Sequence, residues 1–345
     1  MDRVKAMGNR QQIQEIPGAL RMTLEKAHAD YGERIRRVRW GEGPIYVCGA
    51  GDCGALGLAA GYAFETFPGW PVVARPVEVF QNYDLALLHP RSVLVMMSAR
   101  GDWPEAQELA HSAQQRGCTL VALTSNPEGP LANLADHVFP VQAEGNAESA
   151  IVTVCMHGAL NFLAFEAMRL LKRPKPYWDA IAKEFDQLPN QLEWVYTQLS
   201  FVLRSAAAEV ALVPGLSIVG GGFFHYPACR VARRVRLLSG LRAEALEASE
   251  YRGGIFNRIG RDDSVIFLSG SHSKLKKLIH GCAAQTRSNG ARVLSLTDSN
   301  DRELVDTSDL GILVPSLQEA PASILTLFIL EWLATEVSQA AKHAS

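Results

Sequence analysis

One α/β pattern occurs twice in this chain, offset by 171–173 residues, and that repeat limits the possible folds more than any other feature. Ile45-Tyr46-Val47-Cys48-Gly49 returns as Leu216-Ser217-Ile218-Val219-Gly220. Val93-Leu94-Val95-Met96-Met97-Ser98 returns as Ser264-Val265-Ile266-Phe267-Leu268-Ser269. Leu123-Thr124, Asp136 and Glu148 return as Leu296-Thr297, Asp309 and Glu319. Landmarks that hold one offset this closely mark a duplicated domain, and duplicated domains commonly build their ligand site between the copies.

Within each copy, continuous apolar strands alternate with helical segments, the pattern of a parallel sheet covered on both faces. The fold class expected is therefore α/β, with two tandem doubly wound parallel-sheet units. The first copy reads as strands at 44–48, 71–74, 93–97, 118–124 and 137–141, with helices through 56–60, 104–116 and 148–172. The second reads as strand 216–220, helix 226–239, strand 264–269, helix 274–288, strands 291–297 and 310–314, and helix 320–341. Ile13, Ile16, Leu20 and Leu24 recur at helical spacing and predict an amino-terminal arm. Residues 177–210 read as helix broken at Leu188-Pro189. These elements divide the chain into an arm (1–42), a first domain (43–175), a helical linker (176–210) and a second domain (211–345).

Length and charge exclude some classes of function. At 345 residues the chain is long enough for two domains of roughly 150 residues. Lys and Arg number 34 against 36 Asp and Glu, so no basic excess points to nucleic acid or a membrane surface. Arg230–Arg236 is read as a helix with one charged face. The six cysteines are scattered without a CxxC pair, which argues against a metal cluster or a disulfide framework. No cofactor is expected. No apolar run reaches the roughly 18–20 residues of a membrane span, and the amino terminus lacks the apolar stretch of a signal peptide. A cytoplasmic protein with no membrane or nucleic-acid partner is the expectation.

Candidate chemistry falls on the loops that follow strands. Gly49-Ala50-Gly51-Asp52-Cys53-Gly54 matches GxGxxG between a strand and a helix. The second copy's Gly220-Gly221-Gly222-Phe223-Phe224-His225 lacks the third glycine, which weakens a dinucleotide reading. A tight structural turn and an anion held by helix-start amides remain the other readings of Gly49, Ala50 and Gly51. Ser269-Gly270-Ser271-His272-Ser273 offers three hydroxyls before a helix, either a phosphate cradle or a serine-rich capping turn. Its counterpart is Ser98-Ala99-Arg100-Gly101-Asp102, where Arg100 supplies a fork for an anion or simply pairs with Asp102. Glu250 is the candidate proton carrier, with His225 and His272 as helpers in sugar-ring opening, while Glu148 and Glu319 sit at corresponding places on the rim. Each also has an ordinary surface reading.

The chain resembles the double sugar-isomerase (SIS) domain proteins, above all the isomerase half of glucosamine-6-phosphate synthase, and is similar to fructosamine-6-phosphate deglycases. The resemblance runs from Gln14-Glu15-Ile16-Pro17-Gly18-Ala19 through Cys48-Gly49 and Leu188-Pro189 into the second copy. Its most specific block is Ala243-Glu244-Ala245 with Ala248-Ser249-Glu250, similar to the family's AEAYAAGE. The resemblance implies five-stranded parallel sheets, a homodimer, and a phosphorylated sugar or amino sugar as ligand. It also implies an open-chain, enediol-type proton transfer of the isomerase, deaminase or deglycase kind. Departures are plain: Gly51, Arg100 and Trp103 replace hydroxyl residues of the phosphate loops, and Gly253 and Leu237 stand at the family's histidine and general-base glutamate. A non-catalytic sugar-phosphate sensor is therefore the alternative. Synthesis of glucosamine 6-phosphate is not expected, because no glutaminase segment is present.

Overall fold

A computed structural model describes residues 2–49, 52–145, 148–170 and 178–344. The elements run α1 (Asp2–Arg37), β1 (Ile45–Gly49), α2 (Asp52–Thr66), β2 (Val72–Pro76), α3 (Val77–Val79), β3 (Val93–Met97), α4 (Pro104–Gln115), β4 (Thr119–Thr124), α5 (Pro130–Leu134), β5 (His137–Pro140) and α6 (Ala150–Leu170). They continue as α7 (Trp178–Gln198), α8 (Ser200–Val210), β6 (Gly215–Gly220), α9 (His225–Ser239), β7 (Arg242–Glu247), α10 (Ala248–Arg252), β8 (Ser264–Leu268), α11 (Lys276–Ser288), β9 (Arg292–Asp298), α12 (Arg302–Thr307), β10 (Leu310–Val314) and α13 (Glu319–Ala344).

Two compact units result: a first of residues 15–185 and a second of residues 1–14 with 186–345. Each holds one five-stranded parallel sheet, in the orders β2-β1-β3-β4-β5 and, read the same way, β7-β6-β8-β9-β10. The repeat in sequence is thus a repeat in topology. Its strands β1, β3 and β8 are buried at every position, because helices cover both faces.

Several landmarks of the repeat prove to be parts of the scaffold. Asp136 Oδ2 accepts the Leu120 amide at 2.7 Å, and Asp309 Oδ2 accepts the Val293 amide at 2.9 Å. In both units, then, the carboxylate entering the last strand caps the start of its neighbour. Replacing either aspartate with alanine leaves a strand-start amide without its partner. The expected loss is about 1–2 kcal/mol in each case, readable by urea unfolding.

Four expectations need correction. Residues 243–247 belong to an edge strand, β7, which the sequence reading did not include. The helix expected to break at Leu188-Pro189 runs through Pro189, and the interruption falls at Leu199, where φ is −95° and ψ 2°. Arg230 and Arg234 are buried rather than on a solvated face: Arg230 Nε lies 2.8 Å from Glu331 Oε1, and Arg234 Nε 2.8 Å from Glu331 Oε2. Finally, the helices over Ala150–Leu170 and Glu319–Lys342 are long and apolar enough to cross a membrane by length and composition. Their apolar windows are 100% and 94% buried inside the protein, as core helices are. Polar Asn161, His157 and Glu331 interrupt them and stay buried too.

Candidate functional site

Open parallel sheets bind ligands beyond the carboxyl ends of their strands, where the strand order reverses. In the first unit that point lies between β1 and β3, so the relevant turns follow Gly49 and Met97. Gly49 cannot carry a side chain: a Cβ there would sit 2.0 Å from the Cys53 carbonyl oxygen. The counterpart Gly220 would meet the Phe224 oxygen at 2.6 Å. The first glycine of each loop therefore serves a close strand-to-helix turn. Ala50 and Gly51, candidates for an anion-binding turn in the sequence, lie outside the described residues.

The second loop of the first unit is well ordered by its own bonds. Ser98 is buried, and its Oγ accepts the Gly101 amide at 3.1 Å. Gly101 has φ of +70°, a left-handed turn, and its carbonyl accepts the Leu131 amide. Thr124 Oγ1 donates to the Ala99 carbonyl and Asn126 Nδ2 to the Arg100 carbonyl, so the backbone of the loop is pinned from below. Above it the side chains are exposed: Arg100 Nη2 lies 3.0 Å from Asp102 Oδ2, and Trp103 precedes α4. An exposed ion pair of this kind contributes little to stability. Glu148 is exposed at the approach to α6.

In the second unit the corresponding point lies between β6 and β8. The Ser269–Ser273 turn is closed on itself. The Ser271 amide donates to Asp298 Oδ2 at 2.6 Å, the Ser273 amide to the Gly270 carbonyl, and the Lys274 amide to Glu319 Oε1 at 3.1 Å. Ser271 Oγ shares a bond with Ser316 Oγ, and Ser273 Oγ accepts the Leu275 amide. A phosphate entering this turn has to displace two carboxylates. Behind it, His280 bridges Asp301 (2.7 Å) and Glu303 (3.0 Å), Thr297 donates to Asp301, and the Asp301 amide donates to the Asp298 carbonyl. This bracing fixes the turn that presents Asp298.

Titratable groups gather along the same edge. His225 opens α9, with Cys229 Sγ 3.4 Å from its Nε2. Burial holds its imidazole below the ordinary pKa, opposed by the charges of Glu247 and Glu250 and by the Gly220 backbone. Glu247 ends β7 and caps α10, accepting the Ser249 amide at 2.6 Å and the Ser249 hydroxyl. Burial pulls its carboxyl upward, but the Ser249 bonds and His225 outweigh that and leave it below the usual carboxylate range. Glu250 is exposed in the first turn of α10. The fold therefore brings Glu250 and His225 together and adds Glu247. His272 is exposed on the neighbouring turn, where its charge acts on Glu319.

Glu319 opens α13, and burial raises its pKa despite Lys274, Ser273 and His272. A carboxyl easier to protonate in the folded state weakens the fold as pH rises through the raised value. Glu319→Gln is thus expected to melt higher than the parent near neutrality, with the difference closing below the ordinary carboxylate pKa. Melting curves across pH 4–8 read this out; a gap that widens in acid contradicts it.

Among the described residues, no group of three or more His, Cys, Asp or Glu is arranged to hold a metal ion.

Comparison with known proteins agrees with the duplicated architecture. The family model described as the SIS domain matches residues 40–168 and 218–336. The glutamine–fructose-6-phosphate aminotransferase [isomerizing] of Gloeobacter violaceus is 22% identical over 339 residues, covering 95% of this chain and 55% of that protein. The chain spans about half the length of the curated relatives it matches. Among solved structures, the C-terminal domain of glucosamine-fructose-6-phosphate aminotransferase from Francisella tularensis superposes with a TM-score of 0.85 at 17% identity, covering 97% of this chain and 96% of that one. Tagatose-6-phosphate ketose/aldose isomerase from Escherichia coli gives 0.77 at 16% identity, covering 96% and 92%.

Proposed function

The chain belongs to the SIS-domain family and has the fold of phosphosugar isomerases, and from that premise we propose that it binds a phosphorylated sugar and moves a proton on its open-chain form. The observation that carries this reading is the grouping of His225, Glu247 and Glu250 at the carboxyl edge of β6 and β7. Isomerisation, deamination and deglycation share one demand, a base that takes a proton from one sugar carbon and returns it to the next. Glu250, exposed in the first turn of α10, is the proton carrier, and His225 beside it assists ring opening. In the first unit, considered by itself, the Ser98–Asp102 loop is an anion-binding loop, with Arg100 exchanging Asp102 for a phosphate.

The experiment is turnover of aldose, ketose, amino-sugar and fructosamine phosphates followed by NMR. Glu250→Gln is expected to lower kcat by at least about 100-fold, the usual scale for a lost general base, with KM nearly unchanged. Turnover that survives Glu250→Gln removes the catalytic assignment.

The second reading is a sensor that binds the same ligand without chemistry. It is favoured by the Ser269–Ser273 turn, whose amides are held by Asp298 and Glu319, and by Leu237 and Gly253, which cannot carry protons. Binding of a phosphosugar with no turnover in any direction supports it. Under either reading the protein works as a homodimer in the cytoplasm, and light scattering with sedimentation tests the assembly.

A further inference from the structure

The opposite edge of the first sheet carries a separate feature. A cavity of about 460 Å³ opens where β4 and β5 begin, lined among others by Arg37, Arg39, Gln114, Thr119, Asp136 and His137. We propose that this amino-terminal edge is a second binding site, for a small phosphorylated polyanion. It is distinct from the loops at the carboxyl edge: β4 alone separates the two edges by six residues, roughly 20 Å at about 3.3 Å per residue.

The charges point to such a ligand. Arg34, Arg36, Arg37 and Arg39 crowd four guanidinium groups into six positions, a denser run than Arg230–Arg236. Three of them fall in the last turn of α1, where the helix dipole by itself favours cations. The dipole does not account for Arg39, which lies beyond the helix, nor for His137, which arrives from β5. The side chains of Arg39 and His137 make no hydrogen bond or ion pair among the described residues, and that of Arg37 holds only the exposed Glu33 one turn back.

The other polar groups of the cavity are already engaged. Asp136 Oδ2 accepts the Leu120 amide, Gln114 Nε2 donates to the Leu134 carbonyl at 2.8 Å, and the Thr119 amide donates to the Ser92 carbonyl. Arg34, outside the lining, donates from Nη1 to the Val138 carbonyl at 2.7 Å. The lining therefore offers two guanidinium forks and one imidazole, with the Asp136 carboxylate as the acidic group beside them. Forks of this kind match phosphate oxygens two at a time, and the volume admits a ligand the size of a nucleotide or sugar diphosphate.

His137 supplies an internal reporter. Burial lowers its pKa, Asp136 opposes this, and Arg37 and Arg34 add to the lowering. A polyanion seated against Arg37 and Arg39 reverses the local charge and raises it.

The test titrates the full chain with inorganic pyrophosphate, read by calorimetry and by the His137 Cε1–H resonance across pH. Saturable binding is expected, with an upward shift of the His137 titration, affinity falling as salt rises, and at least tenfold weaker binding in the Arg37→Ala/Arg39→Ala double variant. Both arginines are exposed, and circular dichroism checks that this variant is folded. The shift at His137 is expected to persist in Arg100→Ala, which separates this site from the carboxyl-edge loop. No shift at His137, binding indifferent to the double variant, or uptake of RNA without uptake of pyrophosphate would each overturn the proposal.

Discussion

Replacing Glu331 with alanine is expected to destabilise the protein by about 3–5 kcal/mol, the scale for removing one partner of a buried ion pair. Glu331 is fully buried on α13, and each carboxylate oxygen faces a buried arginine of α9. Its loss removes the carboxylate that both buried guanidinium groups face. Arg230→Met, Glu331→Leu and Arg234→Leu introduced together are expected to cost far less, because well-packed apolar residues need no solvation. Urea unfolding of the single and triple variants separates the two outcomes. A single variant within about 1 kcal/mol of the parent would show that water reaches the triad and that the packing of α9 on α13 is looser than described.

Gly49→Ala is the second substitution with a large expected effect. The added methyl would meet a backbone carbonyl at 2.0 Å, an atom that cannot move without shifting the start of α2. Overpacking usually costs about 1–3 kcal/mol, and this site is expected at or above the upper end. Gly220→Ala, with its contact at 2.6 Å, is expected to lose less. Gly61→Ala on α2 is the control, since nothing lies within 4 Å of its added Cβ. That change is expected to stabilise by about 0.5–1 kcal/mol through helix propensity. Thermal unfolding of the three variants gives the order directly. Equal behaviour of Gly49 and Gly61 would mean the strand-to-helix turn is not as close as the structure has it.

Much of this architecture was legible in the sequence because its central strands are unbroken apolar runs and the repeat fixes their order. Val93–Met97 and Ser264–Leu268 are buried at every position and have few alternatives to a covered parallel strand. β7 was not legible for the converse reason: Arg242-Ala243-Glu244-Ala245-Leu246-Glu247 is an edge strand, and its charged residues break the apolar run that marks a covered strand. With β7 missed, Glu247 went unnoticed, although it caps α10 beside His225. A period-two alternation of small and charged residues was the available signal.

Long-range partners were also invisible locally. Nothing near Arg230 and Arg234 announces a glutamate about a hundred positions on, so their spacing looked like a charged helix face. The Ser269–Ser273 turn had the composition of a phosphate cradle. Only the fold shows that Asp298 from β9 and Glu319 from α13 already hold its amides. Asp136 and Asp309 stand out in sequence as landmarks of the repeat, and the fold shows that each caps a strand.

The central claim is that the exposed Arg100 loop above Ser98 receives the phosphate of a sugar ligand. Its most direct measurement is calorimetric titration with one sugar in two forms, phosphorylated and free, against the parent and Arg100→Ala. Saturable binding of the phosphorylated form alone, weakened at least tenfold in Arg100→Ala, is the predicted result. Equal binding of both forms, or phosphosugar binding unchanged by Arg100→Ala, would contradict it.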